Sequence, residues 1–255
     1  MHVQKQLNTA DQTATKAFDA AAIGKRKPHE FAIDLDKKDS LTGSLLIARP
    51  GLSLTLDEND EEPIHSPIFF VADEIDVDGE AALVMVMINA PQGDPDRLGD
   101  VRGDILSQYK KKTIFHGGNF GHRSEDGSLK IQLLVPTNDY WLRSMPAHPY
   151  HGKDKRPDFM VVDCPHAQDA ILKYGWAYNF LVTSGYCILP KGEMADFLAY
   201  CDFYVSPTPS AEAVFSDHAA SKYLTAFRDI GLQAGEIHKT QEWAQQMRST
   251  PYRPH

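Results

Sequence analysis

The chain has 255 residues, 42% hydrophobic and 24% charged, with a net charge of -9 and a pI of about 5.6. That composition suits a soluble globular protein with a proper core. The acidic balance opposes broad binding to a phosphate backbone, which needs a basic face. The three cysteines form no C-x-x-C pair, and no N-terminal run has the apolar core of a signal peptide. No stretch approaches the roughly 20 apolar residues of a membrane span. Together these features predict free thiols in a reducing bacterial cytoplasm, and no membrane partner.

In chain order, residues 1–40 read as an extension. Thr9 or Asp11 caps a helix through Ala22, and a short strand follows at 31–35. Gly43-Ser-Leu-Leu-Ile-Ala-Arg-Pro-Gly-Leu52 is a buried strand with a hard stop, because proline cannot donate to a ladder. Arg49, a charge between core and turn, calls for a partner. Residues 53–67 are an acidic loop, 67–72 a strand, and 73–79 a turn rich in acids. Asp76-x-Asp78-Gly79 is half of a calcium-loop spacing, but it lacks the distal ligands and reads as a plain turn. The run 81–88 is β-branched at alternate places and apolar on both faces, which predicts a central strand covered on both sides. After a polar loop come strands at 113–118 and 130–135. Then follows an insertion at 137–158 in which aromatic and basic residues alternate. Beyond it the pattern predicts a strand at 159–162 and a helix from Asp163 or Pro165 to Tyr174. A strand at 179–183, a turn at 184–186, a helix at 193–200 and a strand at 203–205 come next. One helix from Ser210 or Asp217 ends at Gly231, and a last one lies near 240–247.

Few residues carry a chemical signal. His116, Gly117, Gly118, Asn119 and His122 form the most glycine-dense stretch. Glycines at a strand end make either a structural turn or a rim where a ligand reaches the backbone. The pattern is not a phosphate loop, since Gly-Lys-Ser/Thr is missing. His148, His151, Cys164 and His166 are metal-ligand types, but their spacing fits no zinc pattern, so no metal and no cofactor is expected. Ser184 lacks the surroundings of a nucleophile elbow, and Cys187 lies in an apolar setting that favours packing over reactivity. The insertion offers Tyr140, Trp141, Arg143, His148, Tyr150, His151, Lys155 and Arg156 as a binding set. Such residues stack on rings and neutralise phosphate, or cover a neighbouring protein. The lysines at 110–112 read as a solvated edge.

Taken in order, residues 41–232 resemble the YqgE/AlgH family. The matching segments are 43–52, Ile88-Asn-Ala-Pro91, the strand into Gly117-Gly118, and the strand and helix at 163–175. Leu181-Val-Thr-Ser-Gly-Tyr186, Pro190-Lys-Gly-Glu-Met194 and the helix from Tyr223 to Leu232 complete the set. The sequence departs from the family pattern where Ala72-Asp73-Glu74 replaces Cys-Glu-His and where Gly117-Gly118-Asn119 replaces Gly-Gly-Pro. The resemblance implies an α/β (α+β) fold, with a largely antiparallel, partly closed sheet or barrel flanked by helices. The expected organisation is an extension at 1–40, a family-like domain at 41–235 and a C-terminal helix and tail at 236–255. The expected function is a non-enzymatic, cytoplasmic binding or regulatory protein that acts through protein contacts, with transcriptional regulation implied by the family. The alternatives are a nucleic-acid-linked regulator, and a small-molecule-binding protein or hydrolase using Gly117-Gly118.

Overall fold

The computed structural model describes residues 40–55, 63–93, 96–137 and 158–232. The elements run β1 (Leu45–Ala48), β2 (Ser53–Leu54), β3 (Ile64–His65), β4 (Ile68–Val77), β5 (Glu80–Met87) and a one-turn helix α1 (Leu98–Val101). Then come β6 (Ile114–His116), β7 (Ile131–Pro136), β8 (Phe159–Val162), α2 (Pro165–Tyr174), β9 (Leu181–Ser184) and β10 (Cys187–Pro190). The chain continues with α3 (Lys191–Ala199), β11 (Phe203–Ser206), α4 (Ala211–Phe215) and α5 (Ala219–Asp229).

Strand alternation explains the layering. In β1, Leu45 and Ile47 enter one buried cluster while Leu46 and Ala48 enter another. Successive strand residues point to opposite faces, so an all-apolar strand must be covered on both sides. β1 lies inside a five-stranded antiparallel sheet of order β10-β5-β4-β1-β11. A four-stranded sheet, β6-β9-β7-β8, faces it. There β6 and β9 are parallel and the other pairs antiparallel. Leu45, Ile47, Phe70 and Tyr204 from the first sheet share a cluster with Phe115, Leu134, Phe159 and Leu181 from the second. Helices α4 and α5 contribute Val214, Ala226 and Phe227 to the same cluster. Behind the four-stranded sheet, α2 seats Ala167, Ile171 and Leu172 on Leu133 and Val182. Behind the five-stranded sheet, α3 seats Met194 and Leu198 on Phe69, Met85 and Phe203. The fold is α+β with mainly antiparallel sheets flanked by helices, the short β2-β3 pair making a third sheet, and among the described residues no sheet closes into a barrel.

Arg49 has its partner. Its Nε donates to Asp202 Oδ1 at 2.7 Å, and its backbone N–H donates to the Asp202 carbonyl at 2.8 Å. Asp202 is buried, so the pair ties the end of β1 to the start of β11. Four elements depart from expectation. The acids at 73–77 belong to β4, and the turn is only Asp78-Gly79, both at positive φ. Glu74 tolerates the strand because Lys191 Nζ lies 3.0 Å from its Oε2 and the Leu41 N–H donates to its Oε1 at 2.6 Å. The Asp76 side chain closes the turn by accepting from Gly79 N–H at 2.9 Å, as in an Asx turn. β10 is an additional strand after the 184–186 turn, α3 begins at Lys191, and the alternative starts expected at Ser210 and Asp217 belong to two helices, α4 capped by Ser210 and α5 from Ala219, with a break at 216–218. The expected elements at 1–40 and 240–247 and the insertion at 138–157 lie outside the described residues.

One buried charge couples the layers. Lys222 on α5 is fully buried, with Nζ donating to the Val214 carbonyl at 2.6 Å and lying 4.5 Å from the centroid of the Phe115 ring. Burial pushes its pKa down to about 7 from 10.5, with Asp217 opposing the shift and Lys112 adding to it. Between those two values the unfolded chain binds the proton more tightly than the folded chain, so stability rises with pH. Below about 7 both states are protonated and the cost of burying the charge is constant. Denaturant midpoints taken from about pH 7 to 8.5 are therefore expected to rise more steeply for the native chain than for Lys222→Met, and the difference between the curves isolates Lys222. Parallel curves would contradict this account.

Candidate binding cavity

β6 runs out of the four-stranded sheet into Gly117 and Gly118. The Gly117 N–H donates to the Ser184 carbonyl at 2.7 Å, and the Gly117 carbonyl accepts from Met87 N–H at 2.9 Å. This one residue therefore bonds to the last residue of β9 in one sheet and the last residue of β5 in the other. The turn after β9 passes directly over it. A Cβ on Gly117 would stand 2.2 Å from the Gly185 carbonyl oxygen, and one on Gly118 would stand 2.3 Å from the Tyr186 carbonyl carbon. A Cβ on Gly185 would in turn meet the Gly118 carbonyl at 2.1 Å. Such distances are far inside van der Waals contact. The space that the glycines open is thus filled by the chain's own backbone at this crossing.

Past the crossing, Asn119 to His122 fold back as a loop. Phe120 and Tyr186 exchange backbone hydrogen bonds at 3.0 and 2.9 Å, and their rings stack at 6.3 Å. His116 Nε2 is 3.0 Å from Asn119 Oδ1, and its Nδ1 is 3.2 Å from Gln92 Oε1. His122 Nδ1 is 2.8 Å from the Asn119 carbonyl. The structure therefore brings His116, Gly117, Gly118, Asn119 and His122 together, with their rings and amides bonded to one another. Tyr140, Trp141, Arg143, His148, Tyr150, His151, Lys155 and Arg156 lie outside the described residues.

Beside this loop, on the α3 side of the five-stranded sheet, is a cavity of about 220 Å³. Phe69 of β4, Met85 of β5 and Phe203 of β11 line it from the sheet, and Met194 and Phe197 line it from α3. Phe120, 54% exposed, stands at its lip beside Asn119. Glu193, in the first turn of α3, supplies the charged group in the lining. This volume exceeds the roughly 150 Å³ of an apolar cavity that admits benzene. Sequence reading reaches the lip at Asn119 but not the walls, because each wall residue reads as ordinary core of its own element. The usable signal is in α3, where Met194, Phe197 and Leu198 make an apolar face.

The candidate nucleophiles are held as packing groups. Ser184 Oγ donates to the Lys130 carbonyl at 3.0 Å and lies 3.3 Å from the His122 carbonyl, so its proton is committed to backbone. Cys187 borders the cavity, with Sγ 3.7 Å from the Gly117 carbonyl. Burial pushes its thiol up to about 12, against a smaller opposing hydrogen bond from the Asn119 backbone, and burial pushes Cys201 up to about 11. All three cysteines are free, and Cys164 is half-buried. Among the described residues no group of three or more His, Cys, Asp or Glu side chains converges as a metal site would require. No helix among them is long and apolar enough to cross a membrane.

Two outcomes are expected. Gly117→Ala and Gly185→Ala should each lower unfolding free energy by about 2–4 kcal/mol, since backbone must move. Gly192→Ala, where a Cβ meets nothing within 4 Å, should be neutral or stabilise by up to about 1 kcal/mol. Equal effects at all three positions in denaturant melts would refute the crossing as described. In native alkylation at pH 7.5, read by mass spectrometry, Cys164 should label first, with Cys187 and Cys201 protected until the chain unfolds. Early labelling of Cys187 would contradict its placement.

Comparison with solved structures places this fold. The chain matches the solution structure of the AlgH protein of Pseudomonas aeruginosa, UPF0301, with a TM-score of 0.50 and 16% identity, over 81% of this chain and 97% of that one. It also matches a crystal structure of a Corynebacterium diphtheriae protein, with a TM-score of 0.46 and 13% identity, over 79% of this chain and 91% of that one. No protein-family model matches the sequence, and neither does any curated protein. The architecture of this chain is an AlgH-like α+β fold, in agreement with the resemblance carried by residues 41–232.

Proposed function

We propose that the chain is a non-enzymatic, cytoplasmic binding protein with a regulatory role exerted through contact with a protein partner, and that the cavity under α3 takes part in that contact. The observation that carries this reading is the open apolar cavity with the half-exposed ring of Phe120 at its lip. Apolar pockets edged by a few polar groups are the usual form of a binding site. The neighbouring thiol and hydroxyl support binding over catalysis, because one is held protonated and the other is committed to backbone carbonyls. Free cysteines suit a reducing compartment. The regulatory part of the reading rests on the resemblance to the YqgE/AlgH family. A small-molecule reading is favoured by one observation, that Asn119 and Phe120 beside the glycine pair form part of the cavity lip.

A pull-down from the native host tests the proposal. Phe120→Ala removes the exposed lip, and Leu189→Trp fills the cavity from β10. A partner retained by the native chain and lost by both variants, each shown to be folded by circular dichroism, is the expected result. Identical captures by all three chains would overturn it.

A further inference from the structure

We infer that the cavity under α3 takes an apolar side chain of a partner protein that is flanked by lysine or arginine. This rests on the binding reading above and adds the chemistry of the occupant.

The cavity's size and lining set the apolar half. About 220 Å³ accommodates one ring-sized or branched group, and Met85 and Met194 are soft enough to shape themselves around it. Phe197 and Phe203 pack edge to face at 5.8 Å and present a fixed aromatic wall.

The charge around the opening sets the other half. Glu193 lines the cavity, is exposed, and makes no ion pair among the described residues. A carboxylate in the first turn of a helix already has a structural reason there, since it complements the helix dipole. What points outward is its position in the wall of an apolar cavity with no lysine or arginine lining it. Asp196 lies three residues on, exposed on α3, and so extends the same negative edge by one helical turn. A carboxylate beside an apolar socket attracts a cation and repels an anion on the occupant, and the chain's net charge of -9 acts in the same direction. A free small amine carries the same chemistry, but the half-exposed ring of Phe120 extends the apolar surface beyond the cavity itself, and a residue flanking the anchored side chain in a polypeptide can cover that ring where a small amine cannot.

The test is a titration of the full chain, followed by the methyl NMR signals of Met85 and Met194. The probes are three blocked tetrapeptides, acetyl-Gly-Phe-Lys-Gly-amide and its Gln and Glu counterparts, together with phenethylamine. The lysine peptide is expected to bind about two- to fivefold tighter than the glutamine peptide, the size of one exposed charge pair, and the glutamate peptide more weakly still. Glu193→Gln should cut the lysine preference at least by half, Asp196 and the net charge supplying what remains, and an undiminished preference in that variant would overturn the role of Glu193. Equal binding of the three peptides would overturn the charge inference while leaving the cavity a binding site. Binding of phenethylamine as tight as that of the lysine peptide would overturn the protein occupant. If no probe, charged or neutral, shifts either methyl signal, both this inference and the binding reading beneath it fail.

Discussion

Gly117 gives its N–H to one sheet and its carbonyl to the other, and the rest of the structure is arranged around that crossing. The strands β6 and β9 end side by side in the four-stranded sheet, and the next strand after the turn, β10, belongs to the five-stranded one. The chain can change sheets within two residues only because Gly117, Gly118 and Gly185 let the backbones come closer than any side chain allows. The shared core between the sheets follows, since Phe115 just before the crossing and Leu181 in β9 are delivered to the same layer as Ile47 and Tyr204. The position of α3 follows as well, because β10 leads straight into it.

The cavity is a by-product of the same geometry. The loop 119–122 must fold back over the turn to keep the Phe120–Tyr186 hydrogen bonds, and that leaves Phe120 partly outside the core. α3, held at its start by the Lys191–Glu74 ion pair, buries Phe69, Met85 and Phe203 of the sheet, and the cavity opens beside it between Phe120 and Glu193. The structure therefore combines a rigid join with an uncovered apolar space next to it, and pre-formed apolar space on a rigid frame is what binding uses.

Much of the fold was legible because local chemistry and global packing agree. Leu45–Ala48 is an uninterrupted apolar run stopped by Pro-Gly, and it is a central strand covered on both faces. Pro165 and Gly175 bracket α2 as their backbone preferences demand. β10 was not legible, because Cys-Ile-Leu-Pro is too short to show a period between a turn and a helix. The break between α4 and α5 was legible only as the choice between Ser210 and Asp217 as a helix start, since Ser216-Asp217-His218 holds neither glycine nor proline. The double glycine shows the limit of sequence reading at a site. Composition announces that something approaches the backbone at 117–118, but whether that is a ligand or Gly185, 67 positions on from Gly118, depends on the topology. The cavity walls come from β4, β5, β10, β11 and α3, and no local pattern links those elements.

Native-state amide hydrogen exchange is the measurement that bears most directly on the crossing. The amides of Met87, Gly117, Phe120 and Tyr186 all donate across it. If it joins the sheets, they exchange only through global unfolding, with the free energy measured by denaturant. Exchange at those four amides as fast as at the exposed turn amide of Gly127 would mean that the join opens on its own, and the account would be wrong.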